Sequence, residues 1–265
     1  EIIVSSAVVK PVVKLAEGLS LAQGASLMLD KKGAGNQDVL TEGNQVELII
    51  GQTYEVSTDM EDTQAQVNGK TEFTAWEGMT ELEITLVKTK KEVAVTVEDP
   101  EGLLGSAEVK LENSKDASEV HTLQNGTSVK LNLDAIYQLS CTMADVEASV
   151  NGSKLVQVTE ALDSIAVKIS KKDENYHEID LSQGLKAGTA YEGGISVLED
   201  MTYKADDQNI GGSLYLGYVA GGNNPKTNGS SAKGTVPDSG SVLLLTAQKD
   251  GTLRVAVKIN AGKTV

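Results

Sequence analysis

With one cysteine in the whole chain, no internal disulfide can form. Cys141 stands in an apolar, strand-like run and reads as a small buried hydrophobe rather than a reactive thiol. Histidine is almost missing: His121 and His177 are far apart, no HxxH spacing exists, and a zinc site is not expected. GxSxG and P-loop motifs are absent, and no GxGxxG falls in a strand–turn–helix context. No run of 18 apolar residues could span a bilayer. Basic residues are outnumbered, 23 Lys and Arg against 38 Asp and Glu, giving a net charge of −15. Such a surface repels nucleic acid and anionic lipid. No segment longer than ten residues keeps a helical period.

What is present is a duplication. Residues 40–70 lie without gaps on residues 123–153 at an offset of 83, with twelve identities where chance gives about two. Among them are Gly43/Gly126, Tyr54/Tyr137, Met60/Met143 and the Val-Asn-Gly of 67–69 and 150–152. Upstream the match persists at an offset of 82, with Val13 and Leu15 over Val95 and Val97. A fixed period marks tandem copies of one structural unit. Alternation at Leu82-Glu83-Ile84-Thr85-Leu86 and Ile165-Ala166-Val167-Lys168-Ile169 predicts strands with one face on a core. Asn68-Gly69 and Asn151-Gly152 predict type I′ hairpin turns, which need positive φ at both central positions.

The fold expected is all-β: tandem immunoglobulin-like sandwiches followed by a jelly-roll-type β-sandwich. The expected domains are residues 1–90, 91–172 and 173–265. Within the first, residues 1–8 read as the tail of a preceding copy, because Glu1-Ile2-Ile3-Val4 lies over Glu83-Ile84-Thr85-Leu86. Thr89-Lys90-Lys91-Glu92 and residues 170–175 read as short charged joints. Acidity extends through all three, at −8 for 1–88, −4 for 89–172 and −3 for 173–265. Both ends read as cut from a longer array. The strand expected over Leu253–Ile259 would then carry an open edge, implying a homodimer through the third domain or a separate strand-completing chain.

The third region has its own composition. It holds five of the seven tyrosines and a Gly-, Asn-, Ser- and Pro-rich loop over 220–240. Val242 to Ala247 is nearly continuous apolar, predicting a strand covered on both faces, and Lys249-Asp250-Gly251 predicts a tight turn. The segments Gly184–Tyr191, Ile195–Met201, Asn223-Asn224-Pro225-Lys226 and Leu253–Lys263 together resemble a β-sandwich accessory module of secreted pectin- and plant-polysaccharide-degrading enzymes of gut anaerobes. The resemblance implies a non-catalytic module, with its closing strands missing. Residues 1–172 resemble the immunoglobulin-like tandem repeats of bacterial surface proteins. One arginine, one cysteine and abundant Thr, Gly, Asn and Lys are similar to secreted proteins of Gram-positive bacteria, an extracellular or cell-surface setting.

Acidic doublets such as Glu61-Asp62 and Glu199-Asp200 are not catalytic pairs by themselves, since neighbours on a strand face opposite ways. Asp206-Asp207-Gln208-Asn209 offers hard oxygen ligands and is the one candidate Ca²⁺ loop. A buried Lys–Asn isopeptide bond is not expected, because Lys14 meets Thr96 and Lys130 replaces Glu47 in the repeat. Sugar binding is the positive candidate. Tyr215 and Tyr218 could stack on sugar rings, with Asn223, Asn224, Lys226 and Lys233 bonding hydroxyls or the carboxylates of a pectin. Trp76, opposite Thr159 in the second copy, is either a core plug or an exposed sugar platform. The expected function is therefore a non-catalytic spacer plus a carbohydrate-binding module of a polysaccharide-degrading protein, with a plant polysaccharide as partner. The alternative is a surface adhesin or stalk fragment that binds a protein.

Overall fold

The computed structural model describes residues 7–33, 37–172, 179, 181–210, 212–231 and 235–246. Among them every regular element longer than three residues is a strand, and no α-helix forms. The chain divides into two compact units. One comprises Glu1–Val93, Lys130–Asp134 and Val158–Asp163; the other comprises Ala94–Val129, Ala135–Gln157 and Ser164–Val265.

The first copy of the repeat, which lies in the first unit, supplies nine strands: β1 (Val8–Val9), β2 (Val12–Leu15), β3 (Leu27–Lys31), β4 (Gln37–Leu40), β5 (Leu48–Ile49), β6 (Thr53–Thr58), β7 (Thr63–Gln66), β8 (Glu72–Thr74) and β9 (Glu81–Lys88). They make one sheet of order β4-β3-β6-β8, a facing sheet of order β2-β9-β7, and a β1-β5 pair. Between the sheets lie Leu27, Leu29, Tyr54, Val56, Leu82 and Ile84, each 5% exposed or less. A fully buried aliphatic side chain of this kind contributes roughly 1.5–3 kcal/mol.

The second copy supplies β10 (Lys90–Glu98), β11 (Val109–Asn113), β12 (Asp116–Leu123), β13 (Thr127–Asn132), β14 (Ile136–Cys141), β15 (Val146–Ser149), β16 (Leu155–Gln157) and β17 (Ser164–Lys171). Their sheets run β13-β10-β17-β15 and β12-β11-β14-β16. Register is kept as well as order. Leu29↔Val56 and Tyr54↔Phe73 recur as Leu111↔Leu139 and Tyr137↔Val156. The repeat's change of offset has a structural cause. Leu27↔Leu40 and Val109↔Leu123 are equivalent pairs, so the extra residue of the second copy falls in the β11–β12 hairpin. There the ladder shifts register between Glu112 and Asn113.

Both copies pair their first long strand in parallel with their last. Val12–Leu15 runs beside Glu81–Ile84, and Ala94–Glu98 runs beside Ser164–Lys168. The expected hairpin turns form, with Asn68 and Gly69 at φ 52° and 75° and Asn151 and Gly152 at 52° and 78°. Lys90-Lys91-Glu92, read from sequence as a charged joint, instead opens β10. The long β10 ladder extends over it, and the Lys91 ammonium bonds Glu160 O and Asp163 Oδ1.

Beyond the repeats the described strands are β18 (Ile195–Val197), β19 (Thr202–Ile210), β20 (Ser213–Ala220), β21 (Lys226–Thr227), β22 (Ser230–Ser231) and β23 (Leu243–Leu245). They form pairs only: β18 with β23, β19 with β20, β21 with β22. Leu243 and Leu245 are 42% and 40% exposed, so this strand is not covered on both faces as its apolar run suggested. Leu185 and Val197 are the buried apolar residues described in this region. The expected turn at 249–251 and strand at 253–259 lie outside the described residues.

Candidate functional site

Polar chemistry concentrates on the β11–β12 hairpin of the second copy. Asn113 continues the inward face of β11 set by Val109 and Leu111, and is the buried polar residue among those described, 7% exposed. Asn113 Nδ2 donates to Glu119 Oε2 at 2.6 Å, and the Tyr137 hydroxyl donates to Glu119 Oε1 at 2.7 Å. His121 Nε2 lies 3.4 Å from the same carboxylate. Burial pushes the Glu119 carboxyl up, but the hydrogen bonds from Asn113, Tyr137 and His121 outweigh it and hold it below its usual range. Glu119 is therefore an ionised acceptor locked among donors. The arrangement is a polar clamp on the hairpin. Beside it a cleft of about 350 Å³ is lined by Glu112, Asn113, Ser114, Lys115, Gln138 and Ser140, among others.

In the first copy Tyr54 occupies the equivalent place, 5% exposed, with its hydroxyl accepting from the Ile49 N–H at 2.9 Å. The same ring thus anchors both copies, while its hydroxyl serves backbone in one and a carboxylate in the other. The sequence marks both tyrosines as one repeated position but does not show the clamp. Its signal was the local loss of the repeat, with Asn113 over Lys31 and His121 over Asp38.

A second charged cluster lies within the first compact unit. Lys130 Nζ meets Glu61 Oε1 at 2.7 Å and Asp62 Oδ2 at 2.6 Å. Hydrogen bonds to Asp62 and then Glu61 raise its pKa above the ordinary lysine value. Around it Thr63, Lys88, Lys90 and Glu92 complete a cleft of about 240 Å³.

The residues expected to bind sugar are spread over several elements. Tyr215 is 36% exposed on β20 and Tyr218 is half-buried three residues on, so strand alternation puts them on opposite faces. Asn223 Nδ2 is held by Glu199 Oε2 at 2.7 Å. Asn224 is exposed in the following loop, and Lys226 starts the short β21 hairpin. Lys233 and His177 lie outside the described residues. At the candidate Ca²⁺ loop, Asp206 and Asp207 sit where the β19–β20 ladder shifts register, and Asp207 Oδ2 pairs with Lys115 Nζ at 2.6 Å. Among the described residues no cluster of three or more His, Cys, Asp or Glu could hold a metal ion. Trp76 is 46% exposed rather than plugging the core. It follows buried Ala75 at the end of β8 and begins a turn, so the sandwich interior is already closed by Ala75 and Met79. Cys141 is half-buried at the end of β14.

No protein-family model and no curated protein matches the chain. Solved structures do. The pilus adhesin SpaC of Lactobacillus rhamnosus GG, in its open conformation, is 15% identical with a TM-score of 0.21 over 77% of this chain. The chain spans 30% of that adhesin's length. The major pilin T-13 of Streptococcus pyogenes is 10% identical with a TM-score of 0.24, over 63% of this chain and 100% of the pilin. An adhesin of Mobiluncus mulieris containing disulfide, isopeptide and ester cross-links is 11% identical with a TM-score of 0.22, over 56% of this chain and 83% of its own. Two of these are adhesins and one is a pilin.

Proposed function

We propose that the chain is a non-catalytic, load-bearing spacer of a bacterial cell-surface protein. The observation that carries this reading is the parallel pairing of first and last strands in both copies. A repeat pulled by its ends loads such a pair in shear. The hydrogen bonds of the ladder then resist together rather than opening one by one. The backbone bonds Val12 N–H to Thr80 O and Ala16 N–H to Ile84 O, each 2.9 Å, carry this ladder from the first residue of β2 to one residue past its last. The tyrosine anchor and the Glu119 clamp serve the same end by fixing the opposite sheet. A sugar-binding role for the third region remains the second reading, and exposed Tyr215 is the observation that favours it.

Single-molecule pulling on the full chain tests the proposal. Each copy should release about 25–30 nm of contour, since 82 residues extend by roughly 3.3–3.6 Å each. Two events of equal length at similar force support the spacer. One undivided event, or gradual extension at low force, contradicts it. Retention on a pectin column that disappears with Tyr215→Ala would favour the second reading instead.

A further inference from the structure

The two copies share one fold but exchange charges between positions at one pole. By the repeat's register, Lys130 of the second copy corresponds to Glu47 of the first, Glu92 to Lys10, and Lys90 to Val8. In the second copy Lys130 is gripped by Glu61 and Asp62, which lie in the turn between β6 and β7. In the first copy, among the described residues, Glu47 pairs with the exposed Lys10, its Nζ at 3.0 Å. Beside it the same pole exposes two apolar residues that the second copy lacks. Val8 is 42% exposed, and Trp76, in place of Thr159, is 46% exposed.

Resting on the spacer reading, we propose that Val8, Glu47 and Trp76 form a docking surface for another β-sandwich of this repeat class. That partner would carry lysine or arginine where the first copy carries Glu61 and Asp62. Charge complementarity within one register selects that partner. An acidic turn meets a lysine in the pair that is seen, so the reversed residue at position 47 calls for a basic turn. The second copy's own turn offers Ala144 and Asp145 there. Its carboxylate would repel Glu47, so a further molecule of this chain is not the partner. The tryptophan supplies the apolar contact that a pair of exposed charges does not.

The chain reports on this surface itself, because Trp76 is its single tryptophan. A duplicate of residues 7–88 placed ahead of Ala7 keeps the 82-residue spacing, and Trp76→Thr in the duplicate leaves the resident ring as sole reporter. The duplicate carries either its native Glu61 and Asp62 or Glu61→Lys with Asp62→Lys. The resident copy carries either Glu47 or Glu47→Lys. The two combinations of opposite charge should lower the acrylamide quenching constant of Trp76 by about half, since a docked ring sits in a dry interface core. The two of like charge should leave it at the value of the unextended chain. Quenching that fails to follow charge pairing across the four chains overturns the docking surface. Small-angle scattering on the same samples separates this from the spacer reading. A maximum dimension that does not grow with the added repeat overturns the spacer, whereas growth with unaltered quenching overturns the docking surface alone.

Discussion

Tyr137→Phe isolates the one feature in which the two copies use the same ring differently. The substitution keeps the buried ring, which is fully covered, and removes a hydroxyl that donates to ionised Glu119 at 2.7 Å. A hydrogen bond to a charged group contributes roughly 1.5–3 kcal/mol, and Glu119 keeps Asn113 and His121, so a cost of about 2 kcal/mol is expected. For a repeat of this size that is a fall in Tm of roughly 8–16 °C. Tyr54→Phe removes a hydroxyl that only accepts from a backbone N–H, and should cost about 0.5–1.5 kcal/mol. The pH dependence is the sharper test. The donors hold the folded-state pKa of Glu119 below its unfolded value. Its contribution is therefore complete above the unfolded carboxylate range and disappears as pH falls through the folded value. Denaturant unfolding of wild type and both variants, at neutral pH and again at pH 3 and below, measures this. The Tyr137→Phe penalty should shrink on acidification while that of Tyr54→Phe stays constant. Equal penalties for the two at neutral pH, or a Tyr137→Phe penalty independent of pH, would refute the clamp.

Other outcomes follow from burial and backbone. Tyr54→Ala should cost roughly 3–5 kcal/mol, as for other truncated buried aromatics, and a variant that melts like wild type would remove its role as an anchor. Trp76→Thr should leave stability within about 0.5 kcal/mol, because the ring is a surface residue, whereas a core plug would cost several times more. Gly69→Ala places a Cβ at φ 75° in the hairpin turn and should cost about 1–2 kcal/mol by calorimetry, with open space around it ruling out a clash as the cause.

The duplication made much of the fold legible. Among the identical pairs, Tyr54/Tyr137 and Ala65/Ala148 are apolar residues on alternating strands and are buried in both copies. Asn-Gly dipeptides mark turns because only such residues take positive φ cheaply at both central positions. Strand direction was not legible. Alternation reports which face is buried, not which neighbour a strand pairs with, so the parallel β2–β9 and β10–β17 pairs came from the structure alone. The charged start of β10 reads as a joint in the sequence because Lys-Lys-Glu lacks an apolar face, although the strand runs through it. Trp76 was weighed as a core plug by residue type, while its place in a turn decided its exposure. For the sugar-binding expectation, the three-residue spacing of Tyr215 and Tyr218 already implies opposite strand faces. Their neighbours Asn223 and Glu199 meet through loop folding that no periodicity encodes.

The central claim, that the parallel terminal strands bear load, can be tested by changing only the direction of pull. Cys141→Thr restores the residue found at the equivalent Thr58 and frees the chain for thiol anchoring. Anchors at Ala7→Cys and Lys88→Cys pull β2 and β9 past each other, whereas anchors at Ala16→Cys and Lys88→Cys peel them apart from one end. The account predicts a rupture force clearly higher in the first geometry than in the second. Equal forces in the two geometries would contradict it.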